Sequence, residues 1–361
     1  MLYGLGYATP YLRTDLRLTD FEAGLHAAAL AIGVLTAGVS ADAVARRVGP
    51  GRLLDLAVSA LAASAMLIIV APALPVSLAG AFLMGLGGGA LGTQVNVELG
   101  RPDAAESRKL MSQANALSMV TAAAAPLAMG LAATLLQAWR LGLILPIVGL
   151  VALTLVRPRR AYERITARAP RAALPARYWF VWTFLVIAVS IEFSIVYWGS
   201  TIVSRNTGLS AGDATLVASC FVAGMFACRA ALGRGLGSGH SARVLLAAGL
   251  VTVLAGAGLV WAAATPALAA LGLFLAGLGT AGMWPIGVSL ALQDAPKASY
   301  EAAARATLAS GIAVLIAPSA LGLLSDMVGV VSAWPIILAM AAAGLAVLAV
   351  TPRSHEQVGP A

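Results

Sequence analysis

The segment FLMGLG at Phe82–Gly87 recurs as FLAGLG at Phe274–Gly279, 192 residues further on. The same offset carries APLAMG (Ala125–Gly130) onto APSALG (Ala317–Gly322). Two apolar segments and the loop between them therefore keep one register. The chain is two copies of a unit of about half its length, a period far beyond the roughly 20–50 residues of a solenoid repeat.

Composition says what that unit is made of. Of 361 residues, 60% are hydrophobic and only 11% are charged, where a soluble domain carries about 25% charged residues. Apolar stretches long enough to cross a bilayer follow one another. We read spans at 24–43, 52–71, 76–97, 109–136, 139–156, 178–203, 213–234, 241–264, 268–291, 301–324 and 332–351, after a partial first span at 1–12. This predicts an all-α membrane protein with an N-terminal half over 1–156, a basic linker over 157–177, a C-terminal half over 178–351 and a tail over 352–361. Duplicated membrane halves place a solute site at their interface.

The net charge of +8 could suggest a polyanionic partner, but its placement argues against nucleic acid. With the first span leading outward, all but Arg13, Arg17, Arg140 and Arg205 of the 23 Lys and Arg fall on one side. That is the positive-inside pattern. It predicts a multi-pass protein of the cytoplasmic (cell inner) membrane with both ends of the intact topology in the cytoplasm. The linker Arg157–Arg177 holds seven arginines and one glutamate and is suited to anionic lipid headgroups. Relative to the second copy, where Tyr197 takes the place of Tyr7, roughly a dozen residues of a full first span are missing before Met1. The expectation is a misplaced start or a truncation.

Chemistry-bearing clusters are sparse. Cys220 and Cys228 fall in one span, about 12 Å apart along a helix, beyond disulfide reach. The histidines, His26, His240 and His355, are scattered, so neither a metal site nor a cofactor is expected. No GxxxxGK[ST] loop is present to bind ATP. The spans lack the clustered carboxylates or nucleophile–base pairs that a membrane enzyme needs, and no enzymatic activity is expected.

The loop after the second span reads GVSADAVARRVGPGR, with Gly38, Asp42, Arg46, Arg47, Gly49 and Arg52. This resembles the loop between helices 2 and 3 of the major facilitator superfamily, Gly-x3-Asp followed by paired basic residues. The resemblance extends over twelve spans, a central basic loop and parallel repeated halves. It implies a secondary transporter that moves a small solute, as a monomer, by alternating access. It also implies that Asp42, Arg46 and Arg47 form a cytoplasmic gate. In the second copy, GMFACRAALGRG keeps Arg229 and Arg234 but has Cys228 where an acid is expected. The Ala-Pro-x3-Gly pairs, Pro126 with Gly130 and Pro318 with Gly322, depart from the family's Gly-Pro-rich helix 5 motif and serve as a hinge or packing element.

Glu192 stands near the middle of the seventh span. A charge there costs at least about 2.5 kcal/mol, so this carboxyl is a candidate for taking up and releasing a proton; a hydrogen-bonded structural carboxyl is the competing role. Gln94 and Asn96 near the end of the fourth span, Asn115 in the fifth, Tyr197 in the seventh, and Trp284 with Pro285 in the tenth are candidates for lining the pathway. Ser190, Ser194, Tyr197 and Thr201 form a polar stripe on a different side of the seventh span from Glu192. The scarcity of deep charges argues against a highly charged solute. A non-transporting receptor with the same fold is the alternative.

Overall fold

The computed structural model describes residues 2–99, 121–144, 148–149, 152, 173–234, 239–295 and 298–352. The helices are α1 (Leu2–Leu16), α2 (Asp20–Val48), α3 (Pro50–Val70), α4 (Leu74–Leu99) and α5 (Thr121–Leu136). A 3₁₀ turn, Trp139–Leu143, opens the sixth span, most of which falls outside the described residues. Then come α6 (Ala176–Thr207), α7 (Ala211–Gly233), α8 (Ala242–Trp261), α9 (Pro266–Thr280), α10 (Met283–Asp294), α11 (Ser299–Val328) and, after a helical turn at Val330–Ala333, α12 (Pro335–Val350). Thus α6 to α8 are the seventh to ninth spans, and α9 with α10 makes the tenth. Nine helices among the described residues are long and apolar enough to cross a membrane.

The starts are written in the sequence. Thr19 accepts from the backbone N–H of Glu22, whose side chain returns a bond to Thr19, a full capping box at the head of α2. Ser210, Ser241 and Thr265 cap α7, α8 and α9 in the same way, each accepting from the third residue on. The tenth span, expected at 268–291, is made of two helical pieces. It breaks at Ala281–Gly282 because Pro285 has no N–H to give the Ala281 carbonyl, four residues back. By contrast α11 runs unbroken through Pro318.

The repeat holds at the level of contacts, giving two halves related by a pseudo-two-fold axis. Gly85 of α4 lies against the Leu30 carbonyl of α2, and Gly277 of α9 against the Phe221 carbonyl of α7. Gly87 faces the Ala57 carbonyl of α3, and Gly279 the Gly249 carbonyl of α8. A Cβ at any of these positions would enter the neighbouring backbone, which is why both copies of the motif keep glycine there. Near the axis, the equivalent helices α1 and α6 cross. Gly6 lies against Val196 and Tyr197, and Tyr7 and Tyr197 are both fully buried.

Candidate functional site

Two places bring the halves together through polar side chains. The first is at mid-depth. The hydroxyl of Tyr3 in α1 donates to the Glu192 carboxylate in α6, and the Tyr3 ring packs on Phe193 with centroids 5.9 Å apart. Glu192 is 7% exposed. Arg229 of α7 lies within electrostatic range of both Glu192 and Tyr3, and its Nε donates to the Ala281 carbonyl at 3.2 Å. That carbonyl is the one Pro285 leaves unpaired, so the break in the tenth span anchors the arginine. A buried acid, a hydroxyl donor from the other half and a nearby cation form a group that can hold or release a proton. The pairing also ties α1 to α6.

The second place is the end of the bundle where α1 finishes and α2 begins, here the Asp20 end. The Asp326 carboxylate of α11 accepts from the backbone N–H groups of Asp20 and Phe21 at 2.7 and 2.8 Å. Thr19 already serves the third N–H of α2, so these are the first two orphan donors of that helix. Asp20 itself pairs with Arg13 and accepts from Ser325. Ser319 donates to the Gly24 carbonyl at 3.0 Å. Across the axis, Thr134 of α5 donates to Asp213 of α7 at 3.2 Å. Tyr11 donates to Thr215 at 2.9 Å while stacking on Trp139 at 5.2 Å. Trp139 in turn donates to Asp15 at 3.0 Å, and Arg140 pairs with the same carboxylate at 2.8 Å. The glycines of the two Ala-Pro-x3-Gly motifs sit in these two seams. Gly322 lies against the Asp20 carbonyl and Gly130 against the Gly212 carbonyl. The motif thus lets the opposing helix start approach closely.

The other candidates fall as follows. Arg46 and Arg47 are exposed at the far end of α2, where Val39 is 86% exposed. Asp42 lies in α2 and Asn96 in α4, with side chains outside the description, and Asn115 lies outside the described residues. Gln94 is buried. Tyr197, Ser194 and Ser200 are buried on α6, with hydroxyls that find no partner among the described residues. Trp284 is half-buried against the core, and Pro285 is exposed. The residues missed in the sequence are Tyr3, Tyr11, Trp139 and Asp326. A signal existed for Asp326, which the repeat offset pairs with Thr134.

Membrane-spanning halves, parallel repeats and a hydroxyl–carboxyl contact between the halves fit a class of membrane transporter. The major facilitator superfamily model matches residues 1–300, and the chain belongs to that family. Solved structures agree in fold. The fucose transporter FucP in its outward conformation is 17% identical over 98% of this chain and 97% of its own, with a TM-score of 0.59. A bacterial homologue of the human lysosomal transporter Spinster, inward-facing and occupied, is 13% identical over 100% and 97%, with a TM-score of 0.74. The nucleoside transporter NupG is 13% identical over 98% and 96%, with a TM-score of 0.74. No relative among curated sequences matches the chain.

Proposed function

We propose that the protein carries a small, hydroxyl-bearing, largely uncharged solute across the cytoplasmic membrane by alternating access, coupled to protons at Glu192. The observation that carries this reading is the buried Tyr3–Glu192 contact between the halves. A protonation change there alters a bond between the halves, which is what coupling requires. The positive-inside pattern assigns the Asp20 end to the outside. The structure is then closed outside by the Asp326 and Thr134 seams. The moving bodies are 1–156 and 178–351, joined by the linker 157–177, in a monomer. Ser194, Tyr197 and Gln94 supply buried polar groups, and Trp284 a flat apolar face, which suits a sugar-like or nucleoside-like ring. Two structural neighbours bear names that point the same way, a fucose:proton symporter and a nucleoside transporter.

The test begins with thermal shifts of the purified protein against sugars, nucleosides, amino acids and organic anions, since a specific binder stabilises the folded state by mass action. The best binder is then followed in proteoliposomes under an imposed pH gradient. Glu192→Gln should keep the thermal shift and abolish gradient-driven accumulation. An unchanged response to the gradient rejects coupling at Glu192. Binding without counterflow rejects transport in favour of a receptor.

A further inference from the structure

A cavity of about 320 Å³ opens at the Asp20 end between the two halves. One wall is α1, with Pro10, Arg13 and Thr14. The other is the end of α6 and the start of α7, including Ser200, Thr201 and Arg205. It lies apart from Glu192 and plays no part in the coupling argued above. Its polar inventory is lopsided. Thr14 and Ser204 spend their hydroxyls on the backbone carbonyls of Pro10 and Leu209. Arg13 is committed to Asp20. Arg205 is exposed, and no ion pair is assigned to it among the described residues. Ser200 is 2% exposed, and its hydroxyl has no partner among the described residues. A buried hydroxyl without a partner costs about 1–3 kcal/mol, so a wall carrying one is built for something that supplies the missing bond. Ala211, the first residue of α7, brings the positive end of that helix to the same cavity.

We propose that this cavity binds a small oxyanion, a carboxylate or phosphate group, between Arg205, the Ser200 hydroxyl and the head of α7. A guanidinium and a hydroxyl donor around one pocket give charge-assisted bonds to such a group. The three donors all belong to the C-terminal half, and α1 of the other half forms the wall that faces them. The bound group is distinct from the transported solute. The oxyanion could be a free solute or the phosphate of a lipid headgroup.

The experiment measures thermal unfolding of the full chain in detergent with sodium acetate, phosphate or sulfate against chloride at matched ionic strength, and repeats it in lipid nanodiscs. A saturable rise with an oxyanion but not chloride is expected. Arg205→Gln should weaken the apparent affinity by about tenfold or more. Ser200→Ala should weaken it to a lesser degree, and Arg234→Gln, at the opposite end of α7, should leave it unchanged. If the rise occurs in detergent and nanodiscs alike, the ligand is a free anion. If nanodisc protein already melts at the raised temperature and Arg205→Gln lowers it there, the ligand is the headgroup phosphate. No saturable rise, or a rise of equal affinity in both cavity variants, overturns the proposal. Solute binding and gradient-driven transport are separate readouts, so failure here leaves the transport reading intact, and the converse holds.

Discussion

Asp326 offers the most direct test of the seam that closes the Asp20 end. Its carboxylate serves the first two N–H groups of α2 at 2.7 and 2.8 Å, and these bonds join different halves, so they exist only while this end is shut. On the proposed alternating access this end opens, and both donors and the carboxylate then turn to water. The difference between the states is therefore an N-cap interaction plus an anion at a helix N-terminus. Loss of a cap costs about 0.5–2 kcal/mol, and the dipole contribution adds about 0.3–1 kcal/mol. Asp326 is exposed, which argues for the lower part of that range. Asp326→Ala should then shift the closed–open equilibrium by about 1–2 kcal/mol, or roughly five- to thirty-fold. A reporter is available in Ser319, which is 8% exposed and donates across the seam to Gly24. Ser319→Cys, in a background with Cys220 and Cys228 replaced by serine, should label slowly with an impermeant maleimide. The added Asp326→Ala should raise that rate by the predicted factor, with Asp326→Asn in between. A change of less than twofold would refute the seam as an energetic latch.

Gly85→Ala and Gly277→Ala should each lower the melting temperature, because the methyl group meets a carbonyl of the neighbouring helix and overpacking costs about 1–3 kcal/mol. Gly92→Ala, which faces open space, should leave stability unchanged or raise it. Trp198→Phe removes the Nε1–H donated to the Pro318 carbonyl at 3.0 Å and leaves a cavity where the second ring of this fully buried indole stood; it should cost at least about 1–3 kcal/mol, read as a lower melting temperature. Tyr3→Phe keeps the packing on Phe193 and removes the donor to Glu192. It should shift the pH profile of transport while leaving the solute's thermal shift intact, and an unmoved profile would count against the pair.

The fold was legible because it rests on local and periodic signals. Capping residues at Thr19, Ser210, Ser241 and Thr265 mark the helix starts within a few positions of where apolarity alone puts them. The repeated glycines are legible for a different reason. A glycine forced by backbone contact leaves the same letter in both copies, so the offset between Phe82 and Phe274 already encodes which helices touch. The site was less legible. Glu192 stands out as a lone acid in an apolar run, but its partner Tyr3 looks like any aromatic in a short N-terminal segment. The two meet only because α1 and α6 cross near the axis, a tertiary fact without a local pattern. The break at Ala281–Gly282 is similar. Pro285 announces a lost hydrogen bond, yet only the fold reveals that Arg229 makes use of the freed carbonyl.

The two seams at the Asp20 end indicate where the copies have diverged. Within each half the repeat is kept contact for contact, as the Gly85–Leu30 and Gly277–Phe221 approaches illustrate. Between the halves it is not. The offset places Thr134 and Asp326 in equivalent positions, but one is a hydroxyl and the other a carboxylate. Thr134 makes a single bond of 3.2 Å to Asp213, a side chain that already accepts from Ser210 at 2.6 Å. Asp326 takes two shorter bonds from the first two N–H groups of α2, which the Thr19 cap does not serve, beside the Arg13–Asp20 pair. Both seams end on a carboxylate, so both are charge-assisted; the difference is two shorter bonds against one, and Thr134 only adds to a carboxylate that Ser210 already serves. The α2–α11 seam is therefore the stronger tie and the α5–α7 seam the weaker. Opening at this end should begin on the α5 side, so that Thr134→Val accelerates labelling far less than Asp326→Ala does.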